Sequence, residues 1–334
     1  MKIMPDRLRA LATSLLESRN ASPQAAALQA DLLVEAELRG LPSHGLQRLP
    51  LLLSRLEKGL ADGRTQGAAT WSRQAFLSVD GERGLGPVVL MGAMRRLKQR
   101  LPQAGLAVAA IRNANHIGML AYYAEAAARD GLIAIVMSTS EALVHPFGGT
   151  QAMLGTNPLA IGIPSDDRPF VLDLATSVVS MGKIRNHALR DLPIPPGWAV
   201  DAEGRPTLDP VAAQDGAIAP FGDAKGYGLG LAIELLVAAL AGSPPSPDVR
   251  GTLDDDHPAN KGDLLVLIDP SAGSGAIPAL TAYLDGLRLS RPLEPTRPVA
   301  VPGDGARGRR AAAMDGGIVL PQPLFEQLLA LEAA

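Results

Sequence analysis

His44 and Arg48 stand four residues apart in Ser43-His44-Gly45-Leu46-Gln47-Arg48, within an otherwise apolar neighbourhood. An imidazole titrates near neutral pH, at about 6.5 in water. A guanidinium is a permanent cation whose planar fork matches a carboxylate. Together they are the acid/base and the anion clamp that reduction of a carbonyl beside a carboxylate requires. On a helix, residues i and i+4 share a face, so helical geometry would aim both at one small molecule. Each residue also has a plainer reading. Ser43, after Pro42, could be a helix N-cap, His44 a hydrogen-bonded structural histidine, and Arg48 a solvated charge. Pro50 removes one helical hydrogen bond, so the helix either kinks or begins near Arg48.

Other segments carry polar groups at the ends of apolar runs. Asn113-Ala-Asn115-His116-Ile-Gly118 follows a strand-like run and precedes a helical one. Backbone N–H groups at such a junction attract anions, and His116 could face a pyrophosphate or a substrate. Gly155-Thr156-Asn157-Pro158 exposes a hydroxyl and an amide between strands. Asp173, in Asp173-Leu174-Ala175-Thr176-Ser177, ends an apolar strand. It reads equally as an acceptor for ribose hydroxyls or as a helix N-cap. Lys225-Gly226 opens a long apolar segment, where the lysine could reach a phosphate or a carboxylate. Neither G-x-G-x-x-G nor a Walker-type phosphate loop is present, so a dinucleotide would bind outside the Rossmann route. The five histidines are dispersed, and none forms an i, i+4 pair, which leaves no metal-ligand pattern.

These groups need a scaffold. The chain has 334 residues, 47% hydrophobic and 19% charged, enough for one large domain or two modest ones. Net charge is −3 and no basic patch carries interleaved aromatics, which argues against nucleic acid as a partner. Cysteine is absent, consistent with a reducing cytoplasm and excluding thiolate chemistry. No apolar signal-peptide core opens the chain. The apolar run 229–241 is interrupted by Glu234 and is too short to span a bilayer. A cytoplasmic protein without a membrane partner is expected.

Periodicity predicts helices over 6–17, 23–38 (Ser22 as N-cap, Pro23 at the first position), 50–58, 119–129, 226–240 and 323–334. The 226–240 helix reads as buried. Short apolar runs predict strands over 105–111, 132–137, 159–163, 170–174 and 264–268. Stretches 193–220 and 242–262 read as ordered loops.

Taken in order, these segments resemble the malate/L-lactate dehydrogenase family, distinct from the Rossmann-type lactate and malate dehydrogenases. The likeness also includes Gly182-Lys183-Ile184, Pro195-Pro-Gly197-Trp198-Ala199, Lys225-Gly226-Tyr-Gly228-Leu and Val301-Pro-Gly303. The resemblance implies a non-Rossmann α/β fold, a largely antiparallel central sheet with N- and C-terminal helices packed around it, and a homodimer. It implies a helical, substrate and dimerisation domain (1–115 with 290–334) and a cofactor domain (116–289). It further implies NAD(P)-dependent hydride transfer to a small carboxylate substrate: a 2-oxo acid, a diketo-sugar acid or a cyclic ketimine carboxylate. By position, His44 would be the proton donor, Ser43 its hydrogen-bonded neighbour, and Arg48 and Thr156 substrate contacts. His116, Gly118, Met119, Leu120, Asp173, Leu174, Ala175, Thr176, Lys225, Gly226 and Gly303 would contact NAD or NADP, and no metal is implied. Two departures stand out. The ketimine-reducing branch carries aspartate where Lys183 stands, which favours a hydroxyacid dehydrogenase over an imine reductase. Asp304 follows Gly303 where glutamate is expected. A catalytically idle ligand-binding homologue is the alternative from another class.

Overall fold

The computed structural model describes residues 1–333. Strand β1 (Lys2–Ile3) leads into α1 (Pro5–Glu17) and α2 (Pro23–Leu38). Ser22 caps α2 as expected, its hydroxyl accepting the Ala25 N–H at 3.3 Å, with Pro23 in the first turn. Two short 3₁₀ turns, Pro42–His44 and Leu46–Arg48, precede α3 (Leu49–Glu57). Then come β2 (Ala68–Arg73), β3 (Phe76–Asp80), α4 (Gly86–Ala104), β4 (Leu106–Arg112), α5 (Ala121–Arg129) and β5 (Ile133–Ser138). They are followed by β6 (Leu159–Ile163), β7 (Phe170–Leu174), α6 (Met181–Ala188), β8 (Ala199–Val200), β9 (Ala217–Ile218) and α7 (Ala224–Ala241). The chain ends with β10 (Gly262–Ile268), α8 (Ile277–Leu289), α9 (Asp304–Gly316), β11 (Ile318–Val319) and α10 (Gln322–Ala333). The last position of the helix expected at 323–334 lies outside the described residues.

Seven strands form the central sheet in the order β2-β3-β4-β10-β5-β6-β7. It is mixed: β3 and β4 run parallel, joined by α4, and every other neighbouring pair is antiparallel. A parallel pair needs a crossover of this kind, whereas antiparallel neighbours do not. The sheet draws strands from both sides of residue 115, so the domain boundary expected there runs between β4 and β5 of one sheet.

One face of the sheet is dry. Ala107, Ala109, Ile111, Leu265, Leu267, Ala134, Val136 and Ala160 are fully buried beneath α4 and α5, with Leu32 of α2 joining the same core. The alternate residues point the other way, as the period of two requires. Their register carries one apolar row across six strands: Phe76, Val108, Val266, Ile135, Ile161, Leu172. Every member of that row is only partly buried.

Helix α7 packs on this second face, through Ile233 and Val237. Here the structure corrects the sequence reading. Helix α7 is apolar all round, which reads as buried, yet Leu235 and Leu236 are 60% and 48% exposed. By length and composition α7 alone, among the described residues, is apolar enough to cross a membrane. Its single acid, Glu234, is buried and accepts hydrogen bonds from the Ser246 hydroxyl (2.7 Å) and the Asn157 amide (2.5 Å).

The chain ends meet. β1 pairs with β11, and the Met1 ammonium donates to the Leu320 carbonyl at 3.0 Å. Helices α1, α2, α3 and α10 close over a second core that contains Leu8, Leu15, Leu33, Leu49 and Leu328.

Candidate active site

The expected helical face for His44 and Arg48 does not exist. Gly45 is extended (φ −95°, ψ −151°) and separates the two 3₁₀ turns. The break has a local cause. The Glu37 carboxylate of α2 accepts the Leu46 N–H at 2.8 Å. A Cβ on Gly45 would stand 2.2 Å from that same carboxylate oxygen, so only glycine lets the segment close onto α2. Burial pushes the Glu37 carboxyl up to about 6, against the lowering effect of the Leu46 hydrogen bond. Helix α3 then begins at Leu49 with Pro50 in its first turn, where its missing N–H costs nothing.

The two side chains nonetheless reach one place. A small cavity of about 30 Å³ is lined by His44, Arg48, Arg55, Asn115, His116 and Thr252, with leucines 32, 33, 51 and 52 as its apolar wall. Beside it lies a cleft of about 580 Å³ along the edge strand β7. Met119, Leu120, Thr156, Asp173, Leu174, Ala175 and Gly303 line the cleft, together with Arg39 and Arg309. Among the described residues, His44 is the single side chain common to both linings.

Ser43 acts on the imidazole and not as a helix cap: its Oγ lies 3.0 Å from His44 Nδ1, and no side chain caps the first 3₁₀ turn. A hydroxyl can donate to a neutral Nδ1 or accept from a protonated one, so this contact survives titration. Gly182, at the start of α6, lies against Ser43, with a Cβ there only 2.9 Å from the serine Cβ. Lys183 turns away, its ammonium 4.9 Å from the Trp198 ring centroid. No carboxylate therefore follows Gly182 toward Ser43.

Burial lowers His44 to about 4, and the Arg48 charge adds to the shift. The ordinary value of about 6.5, suited to either direction of proton transfer, does not apply to this buried ring. Arg48 itself is pulled down to about 10 by burial, opposed by Glu141, and stays charged at neutral pH. Arg48 donates from one Nη to the Thr252 carbonyl at 2.6 Å. The guanidinium's other donors remain for a ligand.

His116 lines the small cavity with Arg48 and Arg55 and is absent from the cleft lining. Its ring centroid is 5.6 Å from that of His44. Its Nδ1 accepts the Gly118 N–H at 3.0 Å, which places the ring proton on Nε2. Burial, with Arg48 and His44 adding, holds it well below the usual imidazole range, so it is a neutral donor. Gly118 shares the small cavity, whereas Met119 and Leu120 face the cleft.

Asp173 does cap a helix, but one that lies upstream of it. One carboxylate oxygen accepts the Ala121 N–H at 2.7 Å, at the start of α5, 52 residues upstream. The carboxylate also lines the cleft, and burial raises it to about 6 against its backbone hydrogen bonds. Thr156 lines the cleft and not the small cavity. Thr176 is buried, donating to the Thr156 carbonyl at 3.0 Å, and forms neither lining. Lys225 and Gly226 open α7, with the lysine exposed, and line neither cavity. Asp304 accepts from Arg288 (2.9 and 3.0 Å) and Arg307 (2.6 Å), which hold it well below the usual carboxylate range. It anchors the turn at Gly303 and is itself absent from the cleft lining. No three metal-ligating side chains converge among the described residues.

Sequence reasoning missed Arg55. It is buried two helical turns beyond Arg48 and donates to Asn115 (2.9 Å) and to the Asp254 carbonyl (2.6 Å). Its i+7 spacing from Arg48 was the available signal. Thr252 came from a polar loop with no signal at all.

The chain matches the malate/L-lactate dehydrogenase family over residues 3–329. A dehydrogenase from Sinorhizobium meliloti of known structure is 76% identical and superposes with a TM-score of 0.98, covering 99% of this chain and 98% of that one. The sulfolactate dehydrogenase of Methanocaldococcus jannaschii is 34% identical with a TM-score of 0.92, covering 99% and 96%. The Delta(1)-pyrroline-2-carboxylate/Delta(1)-piperideine-2-carboxylate reductase of Pseudomonas syringae pv. tomato is 36% identical over 92% of this chain and 89% of its own length.

Proposed function

The chain belongs to the malate/L-lactate dehydrogenase family of oxidoreductases, and from that premise we propose that it moves a hydride between a nicotinamide and C2 of a small 2-oxo or 2-hydroxy acid. The observation that carries the reading is the position of His44. It stands on the wall between a small cation-lined cavity and a cleft of cofactor size.

The cleft residues fit a dinucleotide. Glycines 303 and 305 leave room for close approach, the Asp173 carboxylate lines the lumen, and Arg39 and Arg309 supply cations. When bound there, NAD or NADP supplies or accepts the hydride. The protein supplies the rest. Arg48 clamps the substrate carboxylate and fixes C2 beside the cleft. In oxidation, neutral His44 takes the hydroxyl proton, the state its low pKa favours. In reduction, the substrate carboxylate offsets the Arg48 charge, which lets His44 hold the proton it gives to the developing alkoxide. Ser43 orients the imidazole in both directions. Nε2–H of His116 offers the same oxygen a second, uncharged donor.

The reductase relatives keep cyclic ketimine carboxylates as a second reading. The absence of a carboxylate beside Ser43 and the engagement of Lys183 with Trp198 favour the oxo-acid reading. Turnover of malate- and lactate-type 2-oxo acids against cyclic ketimine carboxylates, each with NADH and NADPH, tests both. Faster ketimine turnover would overturn the first choice.

A further inference from the structure

Arg48 is held without an ion pair. Among the described residues no carboxylate stands at salt-bridge distance from it, and its guanidinium makes one hydrogen bond, to the Thr252 carbonyl at 2.6 Å. A main-chain acceptor fixes a guanidinium only as firmly as its own segment is fixed. Thr252 belongs to neither helix nor strand. Its segment doubles back tightly: Gly251 is at φ +79°, and a Cβ there would stand 2.6 Å from the His257 carbonyl oxygen.

The group that fixes Thr252 is Glu141. One oxygen of its carboxylate accepts the Thr252 N–H at 2.8 Å and the Leu253 N–H at 3.2 Å. The Leu253 N–H and the Thr252 C=O are the two ends of one peptide group. In a planar trans peptide they point in opposite directions. That group therefore stands between two charges, with the Glu141 anion on its N–H and the Arg48 cation on its C=O. An anion on the N–H polarises the peptide and makes its carbonyl a stronger acceptor. The backbone around Glu141 is itself tied down. Ser140 Oγ accepts the Thr156 N–H at 3.1 Å, and the Ala142 N–H donates to the Ser246 carbonyl at 3.1 Å. Glu141 lines neither the cavity nor the cleft.

We propose that Glu141 is a positioning residue for the substrate carboxylate: it aims Arg48 through the 252–253 peptide and leaves the guanidinium's other donors free. A carboxylate bonded directly to Arg48 would occupy the fork that the substrate needs. Placed one peptide group away, it orients the cation and does not compete for it. This inference rests on the reading of Arg48 as the clamp for the acid.

Three variants of the full chain separate reach from charge. Glu141→Gln keeps the reach and an acceptor oxygen but loses the charge. Glu141→Asp keeps the charge but is one methylene short. Glu141→Ala loses both. Calorimetric binding of oxamate, with NADH or NADPH present, reports the clamp without turnover. Glu141→Ala and Glu141→Asp should weaken it about tenfold, the scale of a charge-assisted hydrogen bond, and Glu141→Gln should recover most of that loss. In turnover of 2-oxo acids the loss should appear in KM, with kcat and nicotinamide affinity little changed. In an Arg48→Ala background, Glu141→Ala should add nothing further. A residue acting through its charge alone gives the opposite pattern: Gln and Ala tighten the anion, and Asp matches wild type. That pattern overturns the proposal, as does oxamate binding that Glu141→Ala leaves unchanged. A wild-type enzyme that neither binds oxamate nor turns over any 2-oxo acid overturns the reading of Arg48 as well.

Discussion

Filling the small cavity with an anion should draw a proton into the protein. The protein holds His44 at about 4, against about 6.5 for an imidazole in water, through burial first and Arg48 second. That gap corresponds to about 3 kcal/mol between the two protonation states. A carboxylate on Arg48 cancels the repulsive charge and adds an attractive one next to the ring. At pH 5.5 the free enzyme carries about 0.03 proton on His44; burial persists on binding, so full restoration to the aqueous value, with about 0.9 proton, is the ceiling. Binding of an unreactive 2-oxo acid analogue such as oxamate should thus take up a fraction of a proton, at most about 0.9. Its affinity should fall by up to tenfold per pH unit between about 4 and 6.5, for a ceiling of about 300-fold. Titration calorimetry at pH 5.5 in buffers of different ionisation enthalpy reads the uptake directly. His44→Asn should abolish it. Equal binding enthalpies in all buffers, or undiminished uptake in His44→Asn, would refute the electrostatic account of the site.

Stability carries related signatures. Unfolded imidazoles bind protons below about 6.5 while His44 resists them down to about 4. The unliganded fold is therefore at full strength above that window and loses up to about 3 kcal/mol from His44 as pH falls through it, measurable by denaturant titration. Glu37 has the opposite sign, because its folded value is raised to about 6: its contribution is present below about 4.5 and is lost as pH rises through 6. Glu37→Gln should accordingly gain about 1–2 kcal/mol at pH 8 and nothing at pH 4.5, and equal gains at both would contradict this. Asp173→Ala should cost about 1 kcal/mol through the lost α5 cap and weaken nicotinamide binding in a fluorescence titration, whereas Asp173→Asn should recover the stability. Glu234→Leu strands the buried Asn157 amide and Ser246 hydroxyl and should cost about 2–4 kcal/mol in chemical denaturation.

Local chemistry was legible in the sequence wherever it acts over a few residues. The Ser22 cap, Pro50 in the first turn of α3 and the strands at 159–163 and 170–174 follow from capping, proline and short apolar runs. The order and spacing of the motifs pointed to the family, and His44 with Arg48 do share a cavity. What could not be read depends on distant partners. Gly45 breaks the expected helix because Glu37 reaches across from α2. Asp173 caps a helix that begins 52 residues earlier. His116 turns from the cleft because the Gly118 N–H fixes its ring. The His44 value depends on enclosure by residues from α2, α3 and the 251–252 loop, which spacing does not show. The exposure of α7 was invisible for a related reason, since an all-round apolar composition does not say how much of the helix its own chain covers.

The central claim is that His44 moves the proton while Arg48 holds the acid. The most direct test is transfer of deuterium from 4-deuterated nicotinamide cofactor to C2 of a 2-oxo acid, followed in wild type, His44→Ala and Arg48→Ala. The account predicts labelled product from wild type and a fall in kcat of about 10²–10⁴ in His44→Ala with cofactor affinity unchanged. It predicts a loss expressed chiefly in KM for Arg48→Ala. Undiminished deuterium transfer by His44→Ala would contradict it.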